Sequence, residues 1–490
     1  MTTAAAAAAA RRCRRMLAGA AAAVALLALP SFAVPALMPA TAAAQPSPGE
    51  VDQVAQQFGG IYRDPELTRY VASVGQLLVS TTEMANRPFR FTVLDSPIIN
   101  AFSLPDGSVY VTRGLVALAN SEAELAGVLG HEIGHVTAGH ASARQTRGTI
   151  AEIGAGLLGA LLGAAGVGDI AGAGAQLYLQ KFSRDQEYQA DQLGVRYMSR
   201  VGYDPRAMGW FLRSLDDQSA LEAQIAGRPA GSEGFSFMSD HPRTPDRVQR
   251  AIAEAAENPA RQPMIERDIY LRKIDGLAYG SDPNQGVVRG LTFIHPGLGF
   301  RFDVPQGFQV SNGERQVLAQ GPNGAVIVFD RSPRPFRGSA VEYLANGWEP
   351  NLQLADVERI DVNGMDAATG RTTAQLQQGG TMDARLVAVR FGPDTFYRFI
   401  FLAPPQTAGQ FRQAFQRTTY SFRRLSPQEA AQIRPLRIRI VTVRTGDTIA
   451  NLAARMQVPD LPRERFMVLN GLHQGEEPRP GDKVKLVVQQ

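Results

Sequence analysis

At 490 residues the chain exceeds the size at which one hydrophobic core keeps growing, so roughly two to four domains are expected. Its hydrophobic fraction of 44% is that of a globular protein. Arg11, Arg12, Arg14 and Arg15 account for the whole formal charge of +4, and beyond residue 44 basic and acidic side chains are equal in number, which leaves nucleic acid out of the expected partners.

Those four arginines precede an apolar run, Leu17 to Leu29, and the small-residue sequence Ala42-Ala43-Ala44. This order predicts a secretory signal peptide over residues 1–44, cleaved near Ala44, and a periplasmic protein. The run falls short of the roughly 20 residues needed to cross a bilayer. Cys13, the only cysteine, lies in the basic segment, so the mature chain is expected to be held by packing without disulfides.

Residues 45–285 read as a mostly helical (α+β) first domain. Ser121-x-x-Glu124 has the form of a capping box and predicts a helix starting just before Leu125. At about 100° per residue, Leu125, Val128, Leu129, Ile133 and Val136 form one apolar stripe with Glu132 near its middle. A carboxylate in that position costs several kcal/mol unless a cation relieves it. His131 and His135 lie one turn apart at the edge of the stripe, so their rings can converge on one ion, and His131-Glu132-x-x-His135 predicts a single zinc per chain. A catalytic zinc needs a third protein ligand. Glu187 is the candidate, on a predicted helix from Phe182 to Arg200, where it shares a face with Ala190, Gly194 and Met198. Asp191, one turn further, is expected to accept the free N–H of a ligand histidine. Small Ala190 and Gly194 would let this helix approach the first closely. Glu132 then serves as general base, passing a proton from water to the leaving amine.

His140, five residues past His135, is turned about 140° round a continued helix and is expected to make structural hydrogen bonds away from the ion. His241 lies in Asp240-His-Pro-Arg-Thr-Pro-Asp-Arg247, a stiff loop entering a predicted helix over Pro245 to Glu257. It could donate to an oxyanion, cap the open zinc position, or serve only the loop. Residues 150–179, rich in Gly and Ala, suit a buried or interfacial helical lid with possible peripheral membrane contact.

Gly280 to Gly286 reads as a boundary. Residues 286–425 follow as an α+β domain, with predicted strands at Phe300–Val304, Ala325–Phe329, Leu386–Phe391 and Phe396–Leu402 and helices at Val341–Asn346 and Ala408–Phe415. Residues 436–490 carry a strand, helix, helix, strand pattern.

Asn100 to Leu115, Glu124 to Val136, Ser183 to Asp191 and His241 to Arg247 together resemble the gluzincin metallopeptidases of the HtpX, CAAX prenyl endopeptidase and BepA family, over roughly residues 51–275. The resemblance implies Glu187 as third ligand and Glu132 as base, with Arg247, like Asp191, expected behind the ligands. It also implies a small sheet with an exposed edge strand, Ser108, Val109, Tyr110 and Val111 running to Thr112, onto which an extended substrate adds. In BepA-like members the histidine matched by His241 can hold zinc's open position and keep the enzyme latent, which counts His241 among the catalytic residues. Absence of convincing multi-spanning helices favours the periplasmic branch, whose substrates are misassembled envelope or outer-membrane proteins. The last segment resembles a LysM domain through Val441 to Ile449, Val468-Leu-Asn-Gly-Leu472 and Pro480 to Leu486, which implies peptidoglycan as a partner; the middle one resembles PsbP- or MOG-like domains. The expected protein is a secreted zinc endopeptidase of unfolded or misassembled envelope proteins. The competing expectation is a peptidoglycan-bound adaptor or chaperone with a latent zinc site.

Overall fold

The computed structural model describes residues 55, 59–140, 182–225, 227, 241, 246–257 and 259–489, apart from 314–315, 350–351, 376–380, 459 and 474. The expected signal peptide and the Gly/Ala-rich stretch at 150–179 lie outside the described residues. Among the described residues no helix is long and apolar enough to cross a membrane.

Helix α1 (Pro65–Val79) starts at Asp64, whose carboxylate accepts from the backbone N–H of Glu66 and Leu67, with Pro65 in the first turn. Its buried face, Leu67, Tyr70, Val71, Val74 and Leu78, packs on a three-stranded sheet. That sheet comprises β1 (Arg90–Leu94), β2 (Ala101–Ser103) and β3 (Ser108–Thr112) in the order β1-β3-β2, with β3 parallel to β1 and antiparallel to β2. The expected edge strand is therefore corrected: Ser108, Val109, Tyr110 and Val111 lie in the central strand, and all of them are buried. Among the described residues the edge strand packed beside the histidine helix is β2.

Helix α2 (Arg113–Leu118) leads into α3 (Glu122–Thr137), whose N-cap is Ser121. The capping box forms only in part. Ser121 Oγ accepts from the Glu124 N–H, but the Glu124 carboxylate accepts from the N–H of Asn120, one residue before the cap. Every residue from Ala123 to Val136 is buried, so α3 is a central helix rather than an amphipathic one. Its second face is glycine. A Cβ on Gly130 would stand 3.2 Å from Gly194 Cα, and one on Gly134 would stand 2.9 Å from Ala190 O. Both neighbours lie on α4 (Arg184–Val201), which opens with a full capping box, Ser183 with Gln186, and ends at left-handed Gly202. Helices α5 (Arg206–Ile225), α6 (Asp246–Glu257) and α7 (Arg267–Lys273) complete the helical layer.

Strand β4 (Ala278–Tyr279) precedes a region built on two sheets. The smaller includes β5 (Val287–Arg289), β6 (Thr292–His295) and β7 (Phe300–Asp303). The larger has seven antiparallel strands in the order β11-β12-β13-β14-β10-β9-β8, where β8 is Gln309–Asn312, β9 Gln316–Gln320, β10 Val326–Arg331, β11 Ala355–Val362, β12 Met365–Gln375, β13 Thr381–Arg390 and β14 Phe396–Ala403. One face packs an aromatic core, Phe300, Phe302, Phe329, Tyr397, Phe399 and Phe422, beneath helix α8 (Pro405–Ser421); β15 (Arg423–Arg424) then joins β7.

The last segment folds as β16 (Leu436–Thr442), α9 (Ile449–Ala453), α10 (Pro462–Leu469) and β17 (Lys483–Gln489), and β16 also pairs with β4. It has no core of its own. Ile438, Phe466, Leu469, Leu486 and Val487 belong to the same hydrophobic cluster as Leu67, Val111, Leu129 and Phe211. Lys485, fully buried, donates from Nζ to the carbonyls of Ala117, Leu118 and Ala119 at 2.8, 3.0 and 2.8 Å, so one ammonium takes up the orphan acceptors at the end of α2. Replacing Lys485 by Met keeps the length but strands those carbonyls. The expected loss is on the order of 3 kcal/mol, read as a lower thermal midpoint of the full chain, and an unchanged midpoint would refute this docking.

Candidate metal centre

Glycine on the facing surfaces of α3 and α4 lets the two backbones nearly touch, which brings His131, His135 and Glu187 into one buried pocket. His131 Nε2 and His135 Nε2 are 3.1 Å apart; Glu187 Oε2 is 3.5 Å from the first and Glu187 Oε1 is 3.5 Å from the second. An ion with metal–ligand bonds of about 2.0–2.1 Å has tetrahedral edges of about 3.3 Å, so three vertices are already in place. His241 Nδ1 stands close to the fourth, 3.1 Å from His131 Nε2 and 3.0 Å from Glu187 Oε1. Ligand atoms of all four residues lie within 4.8 Å of one another.

Asp191 Oδ1 accepts from His131 Nδ1 at 2.9 Å. A carboxylate can only accept here, so the proton is on Nδ1 and the lone pair on Nε2 points into the pocket. Arg247 clamps Asp191 through Nε and Nη2 at 2.8 and 2.7 Å and sets Nη1 2.9 Å from Glu187 Oε2. The structure thus brings Asp191 and Arg247 together behind the ligands. Glu132, on the same turn of α3, takes no ligand position: Oε1 lies 3.4 Å from His241 Nε2, while Oε2 accepts from Ser103 Oγ at 3.0 Å. Glu132 Oε1 is buried and has no hydrogen-bond partner among the described residues. Imidazole lone pairs and a carboxylate converging where water is excluded form a donor set suited to a divalent metal, and zinc fits it.

Burial drives the His135 proton affinity well below its usual value, favouring the neutral ring that a ligand requires. Burial opposes the Glu187 charge, yet His241, His135 and His131 outweigh it and hold that carboxyl well below the ordinary range. Burial also disfavours protonated His241, but Glu187 and Glu132 outweigh it and raise its affinity for a proton.

Two contributors escaped the sequence reading. Ser103, on β2, is the partner of Glu132, and its signal was only its place in the Asn100–Leu115 stretch. Phe182 stacks on the His135 ring with centroids 3.7 Å apart and lies 5.4 Å from the His241 ring. Ser108 Oγ donates to Asp106, and Tyr110 stacks on Phe102, so the residues expected at the substrate edge serve the interior of the sheet instead. His140 is not among the convergent ligands, although α3 ends at Thr137 and left-handed Gly139, rather than a continued helix, turns it away.

A helix-borne His-Glu-x-x-His with a glutamate ligand from a second helix defines a zinc metallopeptidase domain. Residues 65–255 match the model of Peptidase family M48. It is similar to the beta-barrel assembly-enhancing protease of Yersinia pestis, 32% identical over 231 residues, which are 45% of this chain and 46% of that protein. The mitochondrial metalloendopeptidase OMA1 of Arabidopsis thaliana is 30% identical over 33% of this chain and 31% of its own. The chain thus spans less than half the length of these curated relatives. Among solved structures, cyanobacterial PsbP from Synechocystis sp. PCC 6803 matches 27% of this chain and 91% of its own at 11% identity and a TM-score of 0.22, a level from which no shared fold follows.

Proposed function

We propose that this chain is a zinc-dependent endopeptidase that hydrolyses peptide bonds in unfolded or misassembled proteins of the cell envelope. The observation that carries the reading is the convergence of His131, His135 and Glu187 within a buried pocket that also holds the Glu132 carboxylate. Zinc bound there supplies Lewis acidity toward a scissile carbonyl and acidifies water. Glu132 accepts the water's proton and returns it to the leaving amine, and Ser103 keeps its second oxygen turned away from that task. Asp191 and Arg247 hold His131 and Glu187 in place. β2, an edge strand of its sheet among the described residues, is where an extended substrate would add through main-chain hydrogen bonds, a mode that suits an unfolded polypeptide better than a folded one.

The envelope setting rests on the signal-like pattern of residues 1–44 and on the similarity to the beta-barrel assembly-enhancing protease of Yersinia pestis. Peptidoglycan binding through residues 436–490 and membrane contact through 150–179 rest on sequence pattern alone. A second reading, a wall-bound adaptor with a latent zinc site, is favoured by one observation: His241 stands at the fourth vertex, where a substrate carbonyl must compete with it.

Casein is the test substrate. The full chain is expected to cleave it, to lose cleavage on chelation and to recover it with zinc. Client protection without cleavage in any of these states would replace the endopeptidase by the adaptor.

A further inference from the structure

His135 and His140 meet nitrogen to nitrogen, Nδ1 to Nδ1, at 2.9 Å. One must donate and the other accept. His140 Nε2 lies 3.1 Å from Gln189 Oε1, and a carboxamide oxygen only accepts, so the His140 proton sits on Nε2. The lone pair of a neutral His140 is then on Nδ1, and it accepts from His135 Nδ1–H. His135 Nε2 is left bare, facing His131 Nε2 and Glu187.

We propose that His140, backed by Gln189, is a positioning residue that fixes the tautomer and the ring orientation of the zinc ligand His135. The proposal rests on the metal reading of the pocket. It gives His135 the counterpart of what Asp191 gives His131, with one difference in chemistry: His131 is held by an anion and His135 by a neutral imidazole. Two carboxylates behind two ligands would add a buried negative charge beside Glu187 and Glu132, whereas a neutral relay orients the ring without that cost. The chain provides the geometry by stopping α3 at Thr137 and turning through Gly139, at φ 69°, so that His140 folds back against the outer edge of the His135 ring. Gln189 comes from α4, two residues after the third ligand, so the relay also ties the two ligand helices together.

The test uses the full chain, Zn2+ alone and a competing chromophoric chelator, with nitrogen-15 spectra of the histidine rings. Zinc-loaded parent protein is expected to show His135 protonated at Nδ1 and coordinated through Nε2; coordination through Nδ1 overturns the proposal without recourse to any variant. The His140→Leu variant should bind zinc about 10–100-fold more weakly. His140→Asn, whose carboxamide oxygen can replace the Nδ1 acceptor, should keep most of the affinity. Equal zinc affinity in parent and His140→Leu sinks this inference alone, whereas a parent that binds no zinc sinks the metal reading with it.

Discussion

Glu132→Gln is expected to reduce casein turnover by at least 10²–10⁴-fold while leaving zinc content and thermal midpoint nearly unchanged. The reasoning is isosteric. Glutamine keeps the shape of the side chain and an oxygen able to accept from Ser103 Oγ, so the 3.0 Å contact survives. It cannot take a proton from water. Because Glu132 is not among the convergent ligands, the metal should remain. Parallel measurement of turnover, zinc stoichiometry and melting separates a chemical loss from a structural one, and appreciable residual cleavage would remove Glu132 from the role of base.

The second large effect is expected from a single methyl group that itself takes part in no proton transfer. Gly134→Ala places a Cβ 2.9 Å from Ala190 O and 3.2 Å from Ala190 Cα, both backbone atoms that cannot rotate away. Alanine gains about 1 kcal/mol of helix propensity over glycine, but overpacking in a close contact costs about 1–3 kcal/mol. The helices are expected to separate by a few tenths of an ångström, and the separation falls between His135 and Glu187. Net destabilisation on the order of 1–2 kcal/mol is therefore expected together with a zinc affinity at least about tenfold weaker. Gly409→Ala is the contrast. It lies in α8 with nothing within 4 Å of its Cβ, and it should raise the midpoint by its propensity alone. Unaltered zinc affinity in Gly134→Ala would mean that the glycine contact does not set the ligand geometry.

What could be read in the residues and what could not divides along the range of the interactions. His131 and His135 are spaced by one helical turn, and so are Glu187 and Asp191, so each half of the pocket was legible from periodicity. The close approach was legible in Ala190 and Gly194, but its other half, Gly130 and Gly134, is masked in the sequence by the apolar stripe of Leu125, Val128 and Ile133 on the same helix. The strand error has a different origin. Ala101–Ser103 and Ser108–Thr112 are both short and alternating, and which of them is flanked on both sides depends on β1, several residues earlier and paired in parallel. Local pattern holds no record of that order. His140 is expected off the ion from the angle of a continued helix, whereas the helix stops at Thr137 and turns through Gly139, a turn that a period of 3.6 cannot anticipate. The strand, helix, helix, strand order of residues 436–489 was legible, but the partner of its apolar face was not.

That shared core has a mechanical corollary. Because β16 and β17 are bolted to the helical layer by Lys485 and by common apolar side chains, residues 436–489 move as one with the metal pocket. Anything that immobilised the final segment would immobilise the cleft as well, at a fixed standoff and heading.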